Sequence, residues 1–153
     1  MQICIISVGK ESQKELSALQ NEYEKRLAPH ASISWRLIPA SRATDPEQVR
    51  SMDSEQIMAQ LKPNDSVILL DERGHQQTNE QFALTFEKLS GTQGRLVFII
   101  GGAFGVSEDV RARAQFVWAF SKLVFPHQLM RVMLLEQLYR TYMVQKGHPY
   151  HHS

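Results

Sequence analysis

The feature that most constrains the fold is a set of short segments that are apolar at nearly every position rather than at alternate ones. Two of them are "SVILLD" (66–71) and "RLVFIIGG" (95–102). A strand that is apolar on both faces must be covered on both faces, as in a parallel sheet with helices packed on either side. The sequence therefore predicts an α/β protein with a mainly parallel sheet covered by helices.

Segments of this kind alternate along the chain with segments of helical periodicity. The predicted strands cover 3–8, 33–38, 66–71, 96–100 and 116–120, and the predicted helices cover 12–27, 46–61, 79–89, 107–114 and 129–146. No repeat or long linker divides the 153 residues, a length typical of one domain. We therefore expect residues 1–153 to form a single domain.

Charge and composition narrow the possible functions. A formal net charge of +1 argues against a strongly basic nucleic-acid clamp, so any RNA contact needs a local patch or a partner's surface. The single cysteine, Cys4, lies in an apolar strand, where a buried side chain is expected rather than a nucleophile. Neither a membrane-length apolar segment nor a signal-peptide pattern is visible, which predicts a cytoplasmic protein that does not bind membranes.

Three loops follow predicted strands at the edge of the sheet where ligands bind in such folds. They contain "LLDERG" (69–74), "IIGGAFG" (99–105) and "FSKLVFP" (120–126). The first two can be simple turns, and their glycines can equally let a ligand approach the backbone. Neither the dinucleotide fingerprint nor a phosphate-binding loop is present. The third loop is apolar although loops are normally polar, so it should be buried or line a pocket for an aromatic ring.

The last predicted helix is apolar over more than half of its circumference between residues 129 and 144. A surface helix of a monomer needs only an apolar stripe, so this pattern predicts a homodimer. Glu136 and Arg140 are four positions apart and can simply pair with each other. Arg131 has no acidic residue three or four positions away, which leaves it freer to meet an anionic or carbonyl-bearing ligand.

The chain ends in "HPYHHS" (148–153). A purification tag would be an uninterrupted run of histidines, whereas Pro149 and Tyr150 interrupt this one. The H-x-x-H pair has no cysteine or acidic neighbours, so no metal site is expected. A frayed end and part of an active site both stay open on composition alone.

Taken together, "LLDERG", "IIGGAFG", "AFSKLVFPHQLMRVMLLEQLYR" (119–140) and "HPYHHS" resemble the RlmH family, a branch of the SPOUT methyltransferases. Members of this family methylate N3 of a pseudouridine in 23S ribosomal RNA and use S-adenosylmethionine. The resemblance spans essentially the whole chain. It implies a homodimer and an α/β knot in the C-terminal half, about residues 66–153, which pattern reading alone does not predict.

The resemblance also assigns residues to the site. The implied cofactor-binding residues are Leu70, Asp71, Gly101, Gly102, Gly105, Ser121, Lys122, Leu123, Val124, Phe125 and Pro126. The candidate catalytic residues are His151, Arg131, Tyr150, Arg140 and His148. The histidines are proposed to accept a proton, the arginines to stabilise negative charge, and the tyrosine to stack on a flipped base.

The weak net charge favours the large-subunit RNA within an assembled ribosome as the substrate. Two other functions stay open on the sequence. A non-catalytic RNA- or nucleotide-binding module would use the glycine loops without transferring a group. A nicotinamide-dependent oxidoreductase is weakened by the missing fingerprint.

Overall fold

The computed structural model describes residues 1–150, in which strands and helices alternate from one end to the other. The elements are β1 (Gln2–Val8), α1 (Lys14–Leu27), β2 (Ser32–Ile38), α2 (Pro46–Gln60), β3 (Ser66–His75), α3 (Asn79–Ser90), β4 (Leu96–Ile100), α4 (Glu108–Arg113), β5 (Phe116–Trp118) and α5 (His127–Gln145). Every predicted strand and helix is confirmed at its predicted place.

The five strands form one parallel sheet in the order β2-β1-β4-β3-β5. Alternate side chains of the central strands enter two separate apolar clusters. One cluster packs against α1, α3 and α5, and the other packs against α2 and α4. Both faces of the sheet are therefore covered, which confirms the α/β class predicted from the continuously apolar strands.

Two elements extend beyond their predicted bounds by two or more residues, whereas α1, α4 and β5 are each two residues shorter than predicted. β3 continues to His75, since His75 pairs with Trp118 of β5 after an irregularity beyond Leu70. α5 begins at His127 rather than at residue 129, directly after Pro126, whose φ of −55° and ψ of 139° precede the first helical residue. The start of α2 is capped: Asp45 accepts a hydrogen bond from the Gln48 amide at 3.0 Å, and Pro46 is the first helical residue.

The apolar helix α5 is covered within one chain more completely than its sequence pattern predicted. It lies against α1 and α3, and each of its residues from 130 to 144 is buried or partly buried. The packing of α5 therefore does not by itself require a second subunit. The homodimer stays a prediction that needs independent support.

Three expectations from the sequence can be compared with the structure. Cys4 is buried within the sheet, as predicted for a strand residue. Among residues 1–150, no helix combines the length and the apolar character needed to cross a membrane. Over the same residues, no group of three or more His, Cys, Asp or Glu side chains is arranged to hold a metal ion.

The contact between the loop before β4 and the loop before β3 generates a stability prediction. A Cβ added at Gly94 would overlap the backbone carbonyl of Asn64, whereas a Cβ at Gly91 would come no closer than 3.4 Å to the Glu87 carbonyl oxygen. We expect Gly94→Ala to lower the free energy of unfolding by about 2 kcal/mol, because backbone must move. The matched control Gly91→Ala should change it by less than about 0.5 kcal/mol.

Denaturant unfolding at one fixed protein concentration measures both variants. Equal stability of the two variants would show that the Gly94–Asn64 contact does not constrain the fold.

Candidate functional site

An open cleft of about 1160 Å³ lies at the carboxyl ends of β3, β4 and β5. The loops that follow these three strands form most of its wall, and the first turns of α2 and α5 complete it. The predicted cofactor-binding residues that line the cleft are Leu70, Asp71, Gly101, Gly102, Gly105, Ser121, Leu123, Val124, Phe125 and Pro126. Lys122 lies on the same loop as the last five, but its side chain is exposed and does not line the cleft.

The inner wall of the cleft is aromatic. Trp118 at the end of β5 stacks on Phe82 of α3 with ring centroids 3.5 Å apart, and Phe120 meets Trp118 edge to face at 4.6 Å. Leu123 and Val124 at the outer rim are 68% and 76% exposed. The third loop therefore offers apolar side chains to a ligand, as its composition predicted. These side chains are not buried in the core.

The glycine turn after β4 brings backbone to the cleft surface. The Gly105 amide donates to the Gly102 carbonyl at 3.1 Å, and Gly105 has a φ of +74°, a conformation that side chains disfavour. A Cβ at Gly102 would lie 3.0 Å from the buried Asp53 carboxylate. Glycine therefore suits the backbone conformation at residue 105 and the close approach of Asp53 at residue 102, and the surface around Gly105 is open to a ligand.

The third loop is anchored where it enters α5. His127, the first residue of α5, packs its ring directly on Gly9, which follows β1 with a φ of +116°. Burial, reinforced by the nearby charge of Arg131, lowers the pKa of His127 below its ordinary value. His127 is therefore neutral at pH 7 and serves as a packing surface between the end of β1 and the cleft.

Arg131 lies one helical turn further along α5 and is only 1% exposed. Its guanidinium donates to the Ser7 hydroxyl at 2.8 Å, the Lys10 carbonyl at 2.7 Å and the Ser12 hydroxyl at 3.2 Å. Burial without an acidic partner lowers the pKa of Arg131. On the sequence alone Arg131 was available to a ligand. In the structure its hydrogen-bond donors are instead bound to acceptors at and just after the end of β1. A direct catalytic role requires these donors to change partners and stays a prediction.

Asp71 is also occupied by partners from its own chain. Its carboxylate pairs with Arg73 at 3.1 Å and with Arg111 of α4 at 2.5 Å. Burial of this carboxylate opposes ionisation, but the hydrogen bonds and charges of the two arginines outweigh it, so the pKa of Asp71 lies below its usual value. The side chain of Asp71 therefore ties the first loop to α4.

The tail residues described by the structure lie away from this cleft. α5 ends at a left-handed Gly147, and the His148 amide donates back to the Met143 carbonyl at 2.9 Å. The Tyr150 hydroxyl donates to Glu136 at 3.3 Å, and the Tyr150 ring lies under the Arg140 guanidinium at 4.9 Å. Burial and the Glu136 charge raise the pKa of Tyr150 to about 12.

The pairing expected between Glu136 and Arg140 is confirmed at 2.5 Å. Arg140, Tyr150 and His148 are therefore brought together at the middle and end of α5, and Arg131 is not among them. The fifth candidate catalytic residue, His151, lies outside the described residues.

Sequence reasoning missed several cleft residues that come together only in the fold. Arg50 of α2, Arg73, Arg111 of α4, Trp118 and His127 all line the cleft or pair with its residues. Arg73 and His127 stand inside or beside the quoted loops and could have been included. Arg50 and Arg111 carry no local signal, because their partners are far away in sequence.

Comparisons with known proteins agree with this arrangement. The profile described as "Predicted SPOUT methyltransferase" matches residues 1–151. Two proteins named ribosomal RNA large subunit methyltransferase H match almost end to end. The one from Shouchella clausii is 41% identical and the one from Exiguobacterium sibiricum is 40% identical, each over 99% of both chains.

Solved structures show the same fold at much lower identity. A probable methylase family protein from Haemophilus influenzae superposes with a TM-score of 0.56 at 11% identity, covering 99% of this chain and 70% of that one. A ribosomal RNA small subunit methyltransferase E from Neisseria gonorrhoeae, bound to S-adenosyl methionine, gives a TM-score of 0.52 at 9% identity, covering 95% and 67%.

The profile match and the end-to-end identity of about 40% confirm the resemblance read from the loops and the tail. This chain belongs to the SPOUT methyltransferase family, and to its ribosomal RNA large subunit methyltransferase H branch.

Proposed function

We propose that this protein transfers a methyl group from S-adenosylmethionine to N3 of a pseudouridine in 23S ribosomal RNA. The observation that carries the proposal is the cleft at the ends of β3, β4 and β5, formed by the three segments that resemble the family's cofactor loops. The end-to-end relatives named ribosomal RNA large subunit methyltransferase H support the RNA substrate.

The chemistry of the cleft fits S-adenosylmethionine, which supplies a methyl group already activated on a sulfonium. Trp118, Phe120 and the exposed Leu123 and Val124 offer apolar contacts to an adenine ring. The glycine turn and the strand end at Leu70 offer backbone groups that can read the edges of a ligand.

The charges around the cleft fit as well. Four carboxylates and two guanidinium groups line it, while His127 is neutral. The lining carboxylates are Glu47, Asp71, Glu72 and Glu108, and the lining arginines are Arg50 and Arg73; Arg111 pairs with Asp71 from outside the lining. This balance suits a cofactor that carries a sulfonium and an ammonium. It is a poor match for the phosphates of a nucleotide, which weakens the binding-module and oxidoreductase alternatives.

Methylation at N3 requires removal of the imide proton, because a neutral imide nitrogen is a weak nucleophile. We propose that His151, with His148 as the alternative, accepts this proton. Arg140 and Arg131 are proposed to stabilise the negative charge that develops on the base, and Tyr150 to stack on it. The chain then needs only to align the acceptor and remove the proton, without a covalent intermediate.

We also propose that the active form is a homodimer in which the tail of one subunit completes the cleft of the other. Tyr150 packs on Glu136 and Arg140, whereas the last cleft residue on α5 is Met130. Ten helical residues separate Met130 from Arg140, which is about 15 Å along the axis. A tail that contacts this part of α5 rather than its own cleft supports a role at the cleft of another chain.

The remaining expectations fit the same proposal. A modifying enzyme that acts on an assembled ribosome works in the cytoplasm, and the weak net charge limits its affinity for free RNA. Residues 1–153 would form one domain, and the segment from about residue 66 onward would thread through the knot that the family resemblance implies.

Methyl transfer to ribosomes tests the reaction itself. We expect the protein to incorporate labelled methyl from S-adenosylmethionine into ribosomes that lack the modification, with the product at N3 of pseudouridine by mass spectrometry. Free 23S transcript should accept at least tenfold less methyl, because the chain supplies little positive charge of its own. Cofactor binding without any methyl transfer would instead favour the non-catalytic binding module.

The proton acceptor can be tested in the tail. We expect His151→Ala to lower the methyl-transfer rate at least tenfold, while the dissociation constant of S-adenosylmethionine changes less than twofold, because the tail acts on the base. Single-turnover transfer and calorimetric titration measure the two quantities. The matched control is His152→Ala, which should retain nearly full rate. Unaltered turnover of His151→Ala would remove the residue from the mechanism.

Mixed dimers test which subunit supplies the tail. We combine a cleft-defective chain, Gly105→Val, with a chain lacking residues 150–153. Valine disfavours the positive φ of Gly105, so the first chain should lose cofactor binding. If the tail acts on the partner's cleft, equal mixing should restore about a quarter of wild-type activity, since half of the dimers then hold one complete site. No recovery in verified mixed dimers would place the tail and cleft of each site in one chain.

A further inference from the structure

We propose that Arg50, Asp53 and Ser54, on one face of α2, are positioning residues that hold the glycine turn 101–107 in its cofactor-binding shape. The inference rests on the proposed function, because it assigns the support of the cleft that would bind S-adenosylmethionine. None of the three belongs to the loop and tail segments from which the family resemblance was drawn. They approach the turn from α2, which packs on the same face of the sheet as α4.

The strongest contact is made by Ser54. Its hydroxyl accepts a hydrogen bond from the Ser107 amide at 2.8 Å, and its side chain is only 3% exposed. Ser107 is the residue before α4, where the turn ends. Loss of the acceptor would leave this partly buried amide without its protein partner, so this bond fixes the far end of the turn.

Asp53 supports the start of the turn. It is 1% exposed, and one carboxylate oxygen accepts from the Ser41 amide at 3.2 Å. The other oxygen faces Gly102, where an added Cβ would lie 3.0 Å away. A buried carboxylate without a cationic partner is costly to keep in a purely structural place. Its position leaves little room for a side chain at residue 102.

Arg50 fixes the middle of the turn. Its Nε donates to the Phe104 carbonyl at 3.0 Å, and the side chain also lines the cleft. Positions 50, 53 and 54 have the i, i+3, i+4 spacing that places side chains on one face of a helix. One rigid helix therefore contacts the turn at its start, its middle and its end.

α2 is well suited to act as this support. Asp45 caps its first turn, and Val49 and Ile57 of the same helix are buried against the sheet. A turn held by such an element is ordered before the ligand arrives. Loss of the support would force binding to order the turn, which weakens affinity without changing the reacting groups.

The experiment compares Ser54→Ala, Arg50→Ala, Arg50→Lys and the control Gln56→Ala, an exposed position of the same helix. Full-length protein is titrated with S-adenosylmethionine, and methyl transfer is measured on ribosomes lacking the modification. We expect Ser54→Ala and Arg50→Ala each to raise the dissociation constant and the KM of S-adenosylmethionine about five- to tenfold. The kcat at saturating cofactor and the KM for ribosomes should change less than twofold.

Arg50→Lys and Gln56→Ala separate the effect of the Arg50 contact from a general effect of substitution on α2. Arg50→Lys should recover part of the affinity, because its ammonium can still donate to the Phe104 carbonyl. Gln56→Ala should match wild type. A lower melting temperature of Ser54→Ala with unchanged cofactor affinity would overturn the inference, because the contact would then serve only the fold. If wild-type protein itself bound no S-adenosylmethionine, the proposed function would fail instead.

A double variant tests the contact between Asp53 and the turn. Gly102→Ala should weaken cofactor binding at least tenfold, since its Cβ would press on Asp53 and on Val8. Adding Asp53→Ser shortens the opposing side chain and should recover at least threefold of that loss. Simple additivity of the two substitutions would show that Asp53 does not set the shape of the turn.

Discussion

Burial of both faces of the parallel sheet is the constraint on which the rest of the structure depends. Parallel strands need a crossover for every return, and here each crossover contains a helix that covers one face. The loops that leave β3, β4 and β5 consequently gather at one edge, because these strands are neighbours or next neighbours in the sheet. The cleft follows from the topology before any side chain is considered.

Polar contacts from both layers of helices then fix the shape of that edge. On one face, Arg131 and His127 bind the start of α5 to the end of β1, directly behind the third loop. On the other face, Arg50 and Ser54 of α2 hold the glycine turn. The two loops expected to enclose a cofactor are therefore anchored from opposite sides of the sheet. Such anchoring reduces the ordering that binding would otherwise require.

The sequence predicted the elements well because hydrophobic periodicity and burial agree throughout the chain. For α5 the same signal predicted a dimer surface, whereas α1 and α3 already cover most of the helix, so the dimer stays a prediction. Sequence reasoning mainly missed pairs of residues that are distant in sequence but in contact in the fold. Arg131 has no acidic residue nearby in sequence, yet it is buried against Ser7 and Lys10, more than 100 positions away. Asp71 and Arg111 are likewise matched only by the fold.

The proposed reaction places opposite electrostatic demands on one small protein. A cleft with more carboxylates than guanidinium groups suits a cationic cofactor but repels RNA phosphates. The base must therefore be presented by groups outside the cleft. Arg140 of α5 and Tyr150 form such a group, and Arg140 lies about 15 Å along the helix axis from Met130, the last cleft residue of α5. In the proposed dimer, the tail of one subunit would bring these groups to the cleft of the other, so that the same chain could serve both ligands.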